Sequence, residues 1–142
     1  MEKRPTSTKV VESSPSDVVR RKLLPKILEV AYKEGSKSVL GYRFGAVVWK
    51  GGKILQSGYN HMQMNPLDIS GRPYSIHAEK DALKGLRLRE TYGAALLCMR
   101  VTATKTMNPS RPCRGCLKLL KRRRLKEIWY YNHAGILVKE PL

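Results

Sequence analysis

Ser75-Ile76-His77-Ala78-Glu79-Lys80-Asp81-Ala82-Leu83 and Pro112-Cys113-Arg114-Gly115-Cys116-Leu117 are the two stretches on which the reading of this chain turns. Each sets potential metal ligands at the beginning of a helical pattern. In the first, a helix is expected over residues 76–88, with Ser75 as its N-cap. Ala78, Ala82, Leu83 and Leu86 share one stripe there, and Lys80, Lys84 and Arg87 point away from it. In the second, Pro112 fits the first helical position, and Cys113, Cys116, Leu117 and Leu120 follow at i, i+3, i+4 and i+7.

The chemistry follows from those placements. A catalytic zinc takes three protein ligands and leaves a fourth position to water. Cys113 and Cys116, three residues apart, can aim both sulfurs one way. A helix N-terminus favours thiolate, the form that binds metal. His77 is the third candidate ligand. Glu79, two residues on, is not needed as a ligand and is free to act as acid and base. Taken singly, each piece has a plainer reading, since a lone C-x-x-C also fits a redox pair or a structural zinc and a lone H-x-E means little. A structural zinc wants four protein ligands, and candidates for a fourth are few: His61 and His133 lie outside any ligand-like cluster, and Cys98 falls in an expected core strand as a buried apolar thiol. A redox pair wants a thioredoxin-like order of elements, which this chain lacks.

Outward from these stretches, residues 1–16 are polar, with two prolines and six Ser or Thr, and read as a disordered arm. A helix is expected over residues 17–35, interrupted or begun at Pro25. Residues 43–50 (RFGAVVWK) and 53–59 (KILQSGY) flank Gly51-Gly52 as a hairpin. Residues 60–74 read as a loop. Residues 94–103 form a near-continuous apolar run, as in a strand covered on both faces. The last strands, 127–131 and 136–139, are separated only by Asn132-His133-Ala134-Gly135, a link too short for a parallel crossover. The order predicts one α/β domain over residues 17–142, with a five-stranded mixed sheet, helices packed on it and a C-terminal antiparallel hairpin.

Together, His77-Ala78-Glu79 and Pro112-Cys113-Arg114-Gly115-Cys116 match the H-x-E…P-C-x-x-C signature of zinc nucleobase deaminases. The chain resembles the cytidine deaminase-like superfamily from about Asp17 onward. Phe44-Gly45-Ala46-Val47-Val48 looks like the family's first strand, and Gly58-Tyr59-Asn60 like the end of its second. The resemblance implies a three-layer α-β-α fold and a Zn2+ held by His77, Cys113 and Cys116. It implies hydrolytic removal of an exocyclic amine as ammonia, with Glu79 moving the protons. It also implies contact of Asn60 with the substrate sugar, backbone groups beside Ala78 and Ser110 on the base edge, and a homo-oligomer. Two branches are mixed in it. His-Ala-Glu and Gly-Tyr-Asn are similar to the deoxycytidylate and tRNA-adenosine branch, whereas the tight Asn-His-Ala-Gly link is similar to free cytidine deaminases. Regulation by a nucleoside triphosphate is not implied, because residues 60–74 hold only His61 of the extra Cys and His such enzymes carry.

Charge narrows the partners. The 28 Lys and Arg against 11 Asp and Glu leave a net +17, a field that attracts anions. No residue from Thr91 to Lys126 is acidic. Arg111 and Arg114 sit beside the ligands, where a phosphate-bearing substrate would find them. The expected substrate is therefore a cytosine nucleoside or nucleotide. A base within RNA or DNA is the alternative, and a non-catalytic protein binding nucleic acid through its basic surface is the third reading. An apolar stretch long enough for a membrane span or a secretory signal is lacking, so an intracellular, cytoplasmic protein is expected. The basic run 121–126 could act as a nuclear address, or simply offset a helix dipole in solvent.

Overall fold

The structure, a computed structural model, describes residues 15–64, 73–103 and 107–142. The expected arm lies outside these, except that Pro15 and Ser16 already belong to the first helix. Eleven elements follow in order: α1 (Pro15–Ser36), β1 (Arg43–Lys50), β2 (Lys53–Tyr59), β3 (His61–Met64), β4 (Pro73–Ile76), α2 (Ala78–Leu83), α3 (Leu88–Thr91), β5 (Ala95–Val101), α4 (Arg114–Arg122), β6 (Glu127–Tyr131) and β7 (Leu137–Pro141). The main sheet has the order β2-β1-β5-β6-β7, and β3 with β4 forms a separate pair. Only β5 and β6 run parallel, joined by a crossover through α4; the other neighbours are antiparallel. The expected five-stranded mixed sheet and its C-terminal hairpin are both present. Among the described residues no helix is long and apolar enough to cross a membrane.

The layering comes from the period-two alternation of strands that are apolar on both faces. Val47 and Trp49 of β1, Ala95 and Leu97 of β5 and Trp129 of β6 turn to one side and pack with Ile27 and Ala31 of α1. Ala46 and Val48, Leu96 and Cys98, and Ile128 turn to the other and pack with Ala78, Ala82 and Leu83 of α2 and Leu120 of α4. The result is a three-layer α-β-α stack with α2 and α4 side by side on the face that carries Cys98.

Several sequence expectations need correction. The helix expected over residues 76–88 is only the short α2, residues 78–83, with α3 beginning where it was expected to end, and Ser75 is not its cap. Ser75 pairs with Met62 and Ile76 with His61, so both belong to a strand, and His77 becomes the N-cap of α2. Gly85, at φ +82°, then turns the chain out of the helix before α3 begins. Residues 60–74, read as a loop, contain β3 and the start of β4, strands of four residues each whose pattern is too short to stand out from a loop. Pro112 precedes the N-cap Cys113 of α4 instead of opening the helix. α1 runs through Pro25 without a break.

The position of α2 is set by β2. A Cβ on Gly58 would lie 2.5 Å from the backbone N of Ala82, so the helix sits directly on the glycine. Gln56 donates through Nε2 to the carbonyls of Ala82 and Lys84, each at 2.7 Å, capping the C-terminal end of α2. Asp81 accepts the Tyr59 N–H at 3.0 Å on one oxygen and faces His61 Nε2 at 3.1 Å on the other. Gly58→Ala should therefore lower unfolding stability by about 1–3 kcal/mol in urea titrations, whereas Gly41→Ala, with nothing within 4 Å of its new Cβ, should leave the midpoint in place.

Candidate metal centre and cleft

Two helix starts meet at one point. His77 caps α2 and Cys113 caps α4, while Cys116 lies within the first turn of α4. The ligand atoms of His77, Cys113 and Cys116 all fall within 4.8 Å of one another. His77 Nδ1 lies 3.2 Å from Cys116 Sγ and 3.7 Å from Cys113 Sγ. A tetrahedral zinc with ordinary Zn–N and Zn–S bonds would set nitrogen and sulfur about 3.6 Å apart, so the donor set fits that ion. Cys113 and His77 are exposed and Cys116 is buried, which leaves the three donors open on one side. Burial, and next the Glu79 carboxylate beside it, push the Cys116 thiol far above its ordinary range. A metal cation reverses that balance and holds the thiol as thiolate.

Glu79 is 5% exposed and stands beside these donors, with Oε1 3.7 Å from Cys116 Sγ. Its other oxygen accepts the Cys98 thiol at 3.3 Å. Cys98 is fully buried, and burial followed by the neighbouring Glu79 charge pushes its thiol well up, so it remains an S–H donor. Its expected place in a core strand is correct, but it also touches Glu79, a contact that strand periodicity does not announce. Ser110 locks the same strand from the other side. Its hydroxyl donates to the Cys98 carbonyl at 2.8 Å and accepts the Tyr131 N–H at 3.0 Å, and its own N–H donates to the Tyr131 carbonyl. The N–H and hydroxyl proton of Ser110 are thus committed within the protein.

Beside these groups is a cleft of about 430 Å3 lined by Tyr42, Phe44, Asn60, His77, Ala78, Glu79, Ser110, Arg111 and Cys113, among others. Such a volume suits a small ligand. The structure brings together every residue singled out from the sequence except Arg114, which is exposed on α4 and does not line the cleft. Two of the others carry engagements that the sequence did not disclose. Asn60 donates through Nδ2 to the Tyr42 carbonyl at 2.6 Å and accepts the Phe44 N–H at 2.8 Å, so its amide also pins the start of β1. Arg111 pairs in a fork with Glu140, Nε to Oε1 at 3.1 Å and Nη2 to Oε2 at 2.8 Å. Tyr130 adds a hydroxyl donor to the same carboxylate at 2.7 Å. These bonds, Arg111's first, hold Glu140 below the usual carboxylate range. Much of the Arg111 charge is therefore answered within the chain. Arg100, which the sequence did not single out, lies 4.6 Å from the ring centroid of Tyr42 on the cleft wall.

Comparison with known proteins adds to this geometry. The model of the cytidine and deoxycytidylate deaminase zinc-binding region matches residues 20–132. Among solved structures, a dCMP deaminase from the cyanophage S-TIM5 in apo form is similar at 24% identity, over 87% of this chain and 90% of that one, with a TM-score of 0.55. A cytidine deaminase from Burkholderia pseudomallei is similar at 20% identity, over 82% and 91%, with a TM-score of 0.59. Both likenesses concern the fold. No curated protein matches. Zinc measured by plasma mass spectrometry should stand near one ion per chain and fall well below that in Cys113→Ser; a fully metallated variant would remove Cys113 from the ligand set.

Proposed function

The chain belongs to the cytidine and deoxycytidylate deaminase family, and from that premise we propose that it hydrolyses the exocyclic amine of a cytosine nucleoside or nucleotide, releasing ammonia. The observation that carries this reading is the buried Glu79 carboxylate beside a three-donor cluster that leaves room for a fourth ligand. His77, Cys113 and Cys116 would hold the zinc. When bound, that ion makes a water acidic near neutral pH.

Glu79 does the proton work. As a carboxylate it takes a proton from the attacking water and passes it to the ring nitrogen next to the reacting carbon. It then carries the water's second proton to the departing amine. The water oxygen thus ends on the ring carbon, and the amine leaves as ammonia. The S–H of Cys98 occupies Oε2 and leaves Oε1 on the side of Cys116. Phe44 and Tyr42 supply apolar wall for the ring, Ala78 a backbone N–H at the start of α2, and Asn60 a polar edge for the sugar. Arg111 in the cleft lining, with Arg100 behind Tyr42 just outside it, favours a substrate that carries phosphate. In this reading the chain from helix α1 to residue 142 is one catalytic domain, and the active form is a homo-oligomer.

Ammonia release should be followed from cytidine, deoxycytidine, their monophosphates and the matching adenine compounds. A cytosine compound is expected to turn over, and deoxycytidylate faster than deoxycytidine. Glu79→Gln should lower turnover by about 100-fold or more while zinc stays near one per chain. Unchanged turnover in that variant would end the assigned role of Glu79.

A further inference from the structure

The excess positive charge is unevenly shared between the two helical layers. On α1, Lys33 pairs with Glu29 at 3.5 Å, and just beyond it Lys37 pairs with Glu34 at 3.0 Å, while Lys22 and Lys26 are exposed. On the opposite layer Lys80, Lys84, Arg87, Arg89, Lys118 and Arg122 are exposed, and none forms an ion pair among the described residues. The carboxylates of that layer are already used. Glu79 faces Cys98 and Cys116, Asp81 holds Tyr59 and His61, and Glu90 accepts the Arg87 N–H at the start of α3.

Within this layer lies a second cleft of about 320 Å3, between α2, α4 and the β3–β4 pair. Its lining includes Lys80, Lys84 and Arg123, together with Tyr74, which is 41% exposed. Arg123 is held in place by a bond from Nη2 to the Leu86 carbonyl. No residue of this lining is shared with the cleft at the metal centre. The two clefts lie along the same helices: α2 and α4 start at the candidate metal ligands and rise about 9 and 14 Å, and the basic cleft takes Lys80 and Lys84 from the outer side of α2 and Arg123 from the end of α4.

We propose that this face is a docking surface for single-stranded nucleic acid. Its phosphates meet Lys80, Lys84 and Arg123, and one base stacks on Tyr74. Cations around an exposed aromatic ring are the combination that a single strand uses, since phosphates answer the charge and any base can supply a π-face. A duplex would bring phosphates but no free base to the ring. The surface is separate from the proposed reaction, so its test stands whether or not the chain deaminates a cytosine compound.

The test uses the full chain and a fluorescein-labelled single-stranded RNA of mixed sequence, followed by anisotropy across a series of salt concentrations. The same strand as DNA, inorganic polyphosphate and an acidic peptide serve as competitors. Lys80→Ala with Lys84→Ala should weaken binding and reduce the slope of log K against log salt by about 1.4, two contacts at about 0.7 each for a single strand. Tyr74→Ala should weaken binding about tenfold with the slope unchanged. Circular dichroism should match the wild type in both variants, whose altered side chains are exposed. An unchanged affinity in the double variant would overturn the proposal. So would polyphosphate displacing the strand as well as nucleic acid does, or a Tyr74→Ala protein that binds like the wild type, because either would reduce the surface to unspecific charge. Preference for an acidic peptide over both strands would assign the face to a protein partner instead.

Discussion

The contact between β2 and α2 governs much of this molecule. Without a side chain on Gly58 the helix backbone comes close enough for Gln56 to cap its end and for Asp81 to reach the Tyr59 N–H. That seating fixes the direction of a helix of only six residues, too short to hold itself in water. The direction matters because the first residues of α2 carry His77 and Glu79. Had α2 stood off the sheet by the width of a methyl group, the His77 ring would not meet the two sulfurs of α4. The metal centre is therefore a consequence of packing at the far side of the helix.

The electrostatics of the centre depend on the same seating. It brings the Glu79 carboxylate into a buried site beside Cys116 and over Cys98. Burial first, and then the neighbouring Glu79 carboxylate, disfavours the thiolate and drives the Cys98 and Cys116 thiols upward. The chain answers this differently at the two cysteines. Cys98 stays protonated and donates to Glu79. Cys116 belongs to the donor set where a zinc ion would supply the compensating charge. Farther out, Arg111 and Glu140 neutralise each other across a fork, so the strong positive charge of the chain is not concentrated at the ligands. It lies instead along the outer face of α2, α3 and α4, where acidic residues are few and already bonded.

Much of the fold was legible because it rests on local pattern. The β1–β2 hairpin could be read from a Gly-Gly pair between two apolar runs, and β1 and β2 have the bounds expected of them. The apolar run of β5 indicated burial on both faces, and Asn132-His133-Ala134-Gly135 indicated an antiparallel last pair. The readings that failed share one cause. Ser75 looks like a helix cap until β3 offers it a partner, and the alternation of His61-Met62-Gln63-Met64 in β3 covers only four residues, too short a run to stand out from a loop. Helix ends here are decided by tertiary hydrogen bonds that compete with local preference.

The site divides along the same line. By itself the sequence determined the candidate set: two thiols one turn apart, a histidine and a carboxylate two residues beyond it, each at the beginning of a helical pattern. Metal chemistry depends on residue type and short spacing, and both are written in order along the chain. Only the tertiary structure decided what those and neighbouring groups are bonded to. Asn60 holds the backbone of Tyr42 and Phe44, Arg111 is taken by Glu140, Ser110 is tied to Tyr131, and Cys98 rests against Glu79. These partners are from 16 to 29 positions apart along the chain. A side chain's free donors and acceptors are whatever such distant contacts leave over, and no local period records them.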